Sequence, residues 1–401
     1  MSSYANLLKT PGVARIIAAQ LTARFPSGML SLAYLLHVER ILDSYGAAGL
    51  VLAAASVGQA VAGPLTSRWM GVWGMRRVLT LTMIVCAISI GAIAFLVLPV
   101  AAYMAIGFVG GLSTPPVQPA VRTIYPKLVN SRQLTRLFSL DASAQEIIWV
   151  AGPVITTFVA VQISSTLAIV IAGLFLVVGG TWFILSPEVG RVRIPRSKRR
   201  LGVVLAKPAV LLSTITGLLL VAACAATEAA VVATFGEGGS EAGIILAIFA
   251  IGSLAGGLAL GHLPVGPWAM ARRMFVVFVG MALAMFSLNF WWIAIALLIA
   301  GIGIAPALAV MFAIVSGTVK FSDTAEAYGW VGTGQLIGAA LGSAAAGFLI
   351  DVHGAIGGYW VAAGVAFFGF LIPLVLKRWH PDLRGREASV PDTAPVPIQP
   401  T

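Results

Sequence analysis

Asp141 and Glu146 stand in the otherwise oily stretch LDASAQEIIWVAGP, residues 140–153. The chain has only 14 acidic residues in 401, so two of them here call for a reason. A carboxylate in apolar surroundings can hold a proton, pair with a cation, or accept several hydrogen bonds. Two arginines lie in comparable settings, Arg24 in QLTARFPSGML and Arg122 in STPPVQPAVR. A third carboxylate, Glu228, sits in CAATEAAVVATF. Gln145 and Gln335, with Gln20, Gln59 and Gln118, add amides that either line a polar cavity or bond between helices.

Other chemistry finds little support. Cys86 and Cys224 fall in apolar runs, and His37, His262, His353 and His380 are scattered without ligand spacing, so no metal is expected. No nucleophile–base pair or phosphate loop is visible. An enzyme is not expected, and neither is a cofactor.

The elements that must carry these residues follow from composition. The chain is 59% hydrophobic and 10% charged, with a mean hydropathy of +0.98. Soluble domains carry about 25% charged residues. The expected class is therefore an all-α multi-pass membrane protein with lipid as its main solvent. Apolar runs long enough to cross fall near residues 13–37, 46–67, 78–98, 101–124, 136–161, 165–186, 208–234, 241–262, 274–290, 292–317, 326–350 and 356–376. MSSYANLLKTPGVAR at the start has no cleavage pattern, so the first run is expected to remain as a helix. The net charge of +11 lies in short loops and fits topology rather than nucleic acid. With both termini inside, segments 9–15, 68–77, 127–136, 191–207, 272–273, 320 and 377–386 hold 22 of the 25 basic residues. That bias predicts cytoplasmic ends.

The basic segment 187–207 divides the chain into an N-terminal six-helix part, 1–186, and a C-terminal one, 208–378, followed by a Pro-rich tail, 379–401, expected to be disordered. The two parts echo each other. SVGQAVAGPLTSR at 56–68 aligns with AIGSLAGGLALGH at 250–262, GGLSTP at 110–115 with GIGIAP at 301–306, and Gln145 and Gly152 with Gln335 and Gly342. The nearly constant offsets, 194, 191 and 190, predict an internal duplication.

Twelve helices in two parallel six-helix parts joined by a basic loop resemble the major facilitator superfamily over about residues 7–380. The resemblance implies two pseudo-symmetric bundles that rock about a central cavity, with substrate held near mid-membrane. The superfamily loop after helix 2 reads Gly, three residues, Asp, Arg, then Gly and basic residues. GPLTSRWMGVWGMRR supplies Gly63, Arg68, Gly74, Arg76 and Arg77, but Ser67 replaces the Asp. In the family this loop latches the two bundles, and loss of the Asp weakens that expectation here. The same basic residues are equally read as topology determinants. Gly152–Pro153 resembles a remnant of the helix 5 motif of family exporters, and is also read as a packing kink. Taken together, STPPVQPAVR and LDASAQEIIWVAGP look like actinobacterial exporters of undefined substrate.

At 1.5 Å per residue, Asp141 lies ~6 Å and Glu146 ~14 Å into helix 5, so Glu146 is near the midplane. Their directions differ by ~140°. Arg24 matches the depth of Glu146, and Arg122 that of Asp141. Because the family places helices 1 and 4 beside helix 5, the expected pairs are Arg24–Glu146, a substrate or proton-coupling site, and Arg122–Asp141, a structural pair at the inner rim. An isolated charge at this depth costs ~2.5–3.5 kcal/mol, so pairing is expected. Glu228 is expected near the outer surface, as a gate or proton entry, or as a solvated rim residue.

The expected activity is secondary active transport in the plasma (inner) membrane. It reads best as proton-coupled export of small, partly hydrophobic molecules by a monomer. Its partners are a small-molecule substrate, protons and the lipid bilayer. Alternatives are an importer or uniporter of a small polar or anionic solute, and a non-transporting scaffold or sensor.

Overall fold

The computed structural model describes residues 6–197, 200–235, 241–261 and 263–384. Lys198, Arg199, His262 and residues 385–401, on which parts of the linker, repeat and tail readings fall, lie outside the described residues. Within them the chain is helical throughout, with no strand. The main helices are α1 Val13–Arg24, α2 Pro26–Leu42, α3 Tyr45–Trp73, α4 Met75–Phe95, α5 Val100–Leu112, α6 Val117–Leu128, α7 Ser131–Gln162 and α8 Ser165–Leu185. After a short α9, Pro187–Arg191, come α10 Pro208–Phe235, α11 Glu241–Leu260, α12 Ala269–Leu283, α13 Phe290–Thr318, α14 Phe321–His353 and α15 Ala355–Val375.

Local chemistry sets the boundaries. Ser44, Asn130 and Asn289 cap α3, α7 and α13 by accepting backbone N–H groups of the first turn. Gly74, at φ 89°, makes the tight turn from α3 to α4, a backbone conformation that few other residues adopt. Phe25–Pro26 interrupts the first expected span immediately after Arg24. Pro115–Pro116 divides the expected 101–124 span into α5 and α6, because neither proline donates a backbone hydrogen bond. Both breaks fall beside residues of the site. Ten helical stretches among the described residues are long and apolar enough to cross a membrane. The expected 274–290 span is replaced by α12, which starts and ends earlier at Ala269–Leu283.

Large apolar side chains such as Phe95, Phe158, Leu185, Phe348 and Trp291 face outward. Such a surface suits lipid rather than water. The tail differs from expectation at its start. Leu383 N–H donates to the Val265 carbonyl at 3.0 Å, and His380 is buried. Composition counted the prolines there and missed the apolar reach of Trp379 and Leu383, which extends the packed chain to residue 384.

Backbone contacts repeat along the chain. A Cβ on Gly111 would strike the Ala55 carbonyl, and one on Gly301 the Phe249 carbonyl. Gly58 meets Phe108 as Gly252 meets Leu298, and Gly152 meets Gly28 as Gly342 meets Ala222. In each case residues of α2 or α3 shift by 194 and those of α5 or α7 by 190. These are two of the offsets read from the sequence alignments. Helices that touch through bare glycine backbone are a common way to close-pack in lipid.

Candidate functional site

Asp141 is fully buried and gathers four side chains. Arg122 Nε donates to its Oδ2 at 3.1 Å. Gln20 Nε2 and the Tyr125 hydroxyl donate to its Oδ1 at 3.0 and 3.2 Å. Arg24 Nη1 lies 3.6 Å from the same Oδ1, an ionic contact beyond hydrogen-bond length. The hydrogen bonds of Arg24 go instead to neutral amides: Nη1 to Gln20 Oε1 at 2.8 Å and Nη2 to Gln145 Oε1. Arg122 is also held by Gln118, whose amide oxygen faces its guanidinium. The guanidinium carbon of Arg122 stands 3.3 Å above the Phe312 ring, a cation–π contact to the second half of the chain. Two guanidinium groups thus share one carboxylate.

The expected Arg24–Glu146 pair does not form, and Arg24 joins Arg122 at Asp141 instead. The reason is helical phase. Gln20 and Arg24 lie four residues apart on α1, as do Asp141 and Gln145 on α7, so two matched rungs meet. Glu146 is one position further on, ~100° around the helix. It shares a face with Ser139 and Ser143, and that face meets the second half of the chain. Ser253 of α11 donates to Glu146 Oε1 at 2.9 Å, and Ser139 donates to the Gly257 carbonyl at 2.6 Å. Ser143 packs where a Gly257 side chain would begin. Glu228 lies on α10 and is exposed. Gln335 packs beside Gly217 of α10 and Met311 of α13.

The end of the molecule that carries residues 186–207 is sealed. Thr333 Oγ1 donates to the Ala60 carbonyl at 2.7 Å, and Gly329 of α14 meets Gly63 of α3 backbone to backbone. Arg68 Nη1 lies 3.1 Å from Glu326 Oε2. Gly202 N–H donates to the other Glu326 oxygen at 2.8 Å, so one carboxylate ties α3, α14 and the linker. Ser67, which stands where the family pattern has Asp, is buried with no partner for its hydroxyl among the described residues. Between this seal and Asp141 lies a buried aromatic plug. Phe138 contacts Tyr125, Phe312 and Tyr328 at ring-centre distances of 5.8, 6.1 and 6.4 Å. Arg76 donates to the Ile184 and Ser186 carbonyls at the foot of α8, whereas Arg77 is exposed. Gly152 lets α7 approach Gly28 of α2, and Pro153 lies inside α7.

Sequence reasoning missed Tyr125 and Ser253 as ligands of the two carboxylates, and Glu326 as a partner of Arg68. The i, i+4 pairs Gln20/Arg24 and Asp141/Gln145 were the available signal for the first network. For the latch, Ser67 reads only as a lost charge partner, and Glu326 carries no signal.

These features describe a multi-pass, all-helical membrane protein whose two sequence halves meet through a sealed end. Residues 16–288 and 226–400 match the family model of the Major Facilitator Superfamily, and the chain belongs to that superfamily. No curated protein matches it. Among solved structures it is similar to the human organic anion transporter MFSD10 (TETRAN), at 16% identity and a TM-score of 0.69, covering 90% of this chain and 100% of that one. It is also similar to a bacterial homologue of the iron transporter ferroportin in an outward-facing state, at 12% identity and a TM-score of 0.72, covering 92% and 98%. The proton:xylose symporter XylE matches at 13% identity and a TM-score of 0.67, covering 92% and 96%. At these identities the shared property is the fold, that of a major facilitator transporter.

Proposed function

We propose that the chain is a secondary active transporter with twelve spans in two six-helix bundles, residues 1–186 and 208–378. In this reading α1–α2 and α5–α6 are each one broken span, and α12 is a short ninth. Both ends are cytoplasmic, and the sealed end is the cytoplasmic mouth. Reporter fusions within 186–207 and after residue 377 are expected to report cytoplasm, and an outside signal from either segment removes the topology.

The observation that carries the mechanism is the Glu146–Ser253 hydrogen bond. It joins the two halves, on the same α7 face as the contacts of Ser139 and Ser143 with Gly257 of α11. Alternating access requires such contacts to break as the mouth opens. A carboxylate at this place, with no arginine paired to it among the described residues, is suited to carry a proton across the change of state. The reading is export of small, partly hydrophobic molecules against proton entry, by a monomer in the plasma membrane.

Glu146→Gln keeps the size of the side chain and an acceptor for Ser253, but it cannot ionise. In proteoliposomes it is expected to lower gradient-driven transport substantially. Substrate exchange without a gradient is expected to survive. Wild-type rates across a pH series would assign Glu146 to bracing alone. Reversing the gradient separates export from import.

A further inference from the structure

We infer that Arg24 is the anchor for the anionic group of the substrate, and that the substrate is a small organic monoanion with an apolar body. The inference rests on the transporter reading above and names the class of molecule it would carry. The first observation is charge balance. Arg24, Arg122 and Asp141 leave one positive charge in excess, deep in a membrane protein. The second is how the excess is distributed. Arg122 is 2% exposed, hydrogen-bonded to Asp141 and covered by Phe312. Arg24 is 10% exposed and makes its hydrogen bonds to Gln20 and Gln145, neither of which carries charge. The reachable guanidinium is therefore the one without a carboxylate hydrogen-bonded to it.

Gln20 and Gln145 bring hydrogen-bond acceptors but no compensating charge, and a planar guanidinium suits a carboxylate or sulfonate. Glu146, the other carboxylate nearby in sequence, is turned away toward Ser253.

The apolar body follows from the repeat. The offset that relates α2 and α3 to α10 and α11, carried back to α1, makes Leu218, which is partly exposed, the repeat equivalent of Arg24. One half supplies the charge, and the other presents hydrocarbon at the equivalent position. A molecule that meets both walls is amphiphilic, with its anionic end toward the first half.

The test uses purified full-length protein in detergent and three probes of equal size: 2-naphthoate, 2-naphthalenemethanol and 2-naphthylmethylammonium. Naphthalene-2-sulfonate serves as a second anion. Thermal stabilisation is titrated for each, because a ligand that binds only the folded protein raises its melting temperature by mass action. The wild type is expected to bind the anions at least about tenfold more tightly than the alcohol or the ammonium, a modest value for one desolvated charge contact. Arg24→Gln is expected to reduce the anions to the level of the alcohol, and Arg24→Lys to keep part of the preference. Equal or tighter binding of the alcohol or ammonium overturns the inference, as does a lack of stabilisation by either anion. Retention of the anion preference in Arg24→Gln removes Arg24 as its source. The wild-type comparison decides the substrate class even where a variant fails to fold. Exchange between open and closed mouths, followed separately by distances across the sealed end, distinguishes the two readings. A protein that alternates but ignores anions loses only the substrate class, and one that binds anions but never alternates loses the transport reading.

Discussion

Asp141→Asn is expected to destabilise the protein more than any other single substitution at the site. The change leaves Arg24 and Arg122 buried together without a carboxylate, and leaves one neutral amide oxygen for donors that had shared two carboxylate oxygens. Breaking a buried pair by removing one partner costs about 3–5 kcal/mol. Here two cations are left facing each other, so the upper part of that range is expected. The melting temperature in detergent should fall by about 5 °C or more. A second variant tests the cause. Arg122→Gln in the Asp141→Asn background removes one of the stranded charges and should recover part of the loss, whereas independent effects would add. A melting temperature within a degree or two of wild type for Asp141→Asn would show that the network is not what holds α1, α6 and α7 together.

Glu326→Gln is expected to loosen the sealed end. The carboxylate holds Arg68 on one oxygen and the Gly202 N–H on the other, and it is almost fully buried while Arg68 is partly exposed. A neutral amide keeps its shape but loses both charge-assisted contacts. Pairs with one accessible member are worth less than fully buried ones, so a shift of about tenfold toward the open mouth is a reasonable expectation. Spin labels at Arg77 and Lys320 would read it as a larger population of long distances. The exchanged pair Arg68→Glu with Glu326→Arg should restore part of the closed population. It would not restore all of it, because an arginine cannot accept the Gly202 N–H. An unchanged distance distribution in Glu326→Gln would leave the seal to Gly63, Gly329 and Thr333 alone.

Much of the fold was legible because hydrophobic length and basic loops are properties of composition. The duplication was legible because glycine is irreplaceable where two helices touch through backbone. Gly58 and Gly152 and their later counterparts therefore kept offsets of 194 and 190 in both sequence and space, whereas the GGLSTP alignment at 191 was one residue out, because Gly111 and not Gly110 is the counterpart of Gly301. Which acid meets which arginine was less legible. Depth along a helix is a count, and it placed Arg24 level with Glu146. Direction around a helix decides contact, and one residue of phase carried Arg24 to Asp141 instead. The i, i+4 amides beside each charge, Gln20 and Gln145, held that phase information. Glu326 escaped for a different reason. A latch that joins residues 258 positions apart leaves no local pattern, and Ser67 reads only as a weakened latch.

The meeting of Gly63 and Gly329 has a consequence for how this gate can drift over generations. At each of these positions an added methyl group would come to within 3.0 Å or less of the facing chain. Neither residue has a smaller replacement. Every substitution there pushes in one direction, toward a mouth that closes less completely, and none tightens it. A lineage that needs a firmer closure must find it in the surrounding side chains, such as Arg68, Glu326 and Thr333. A lineage that needs a leakier one has many single steps available. The closed state is thus set against a hard floor, and its mutational neighbourhood is one-sided.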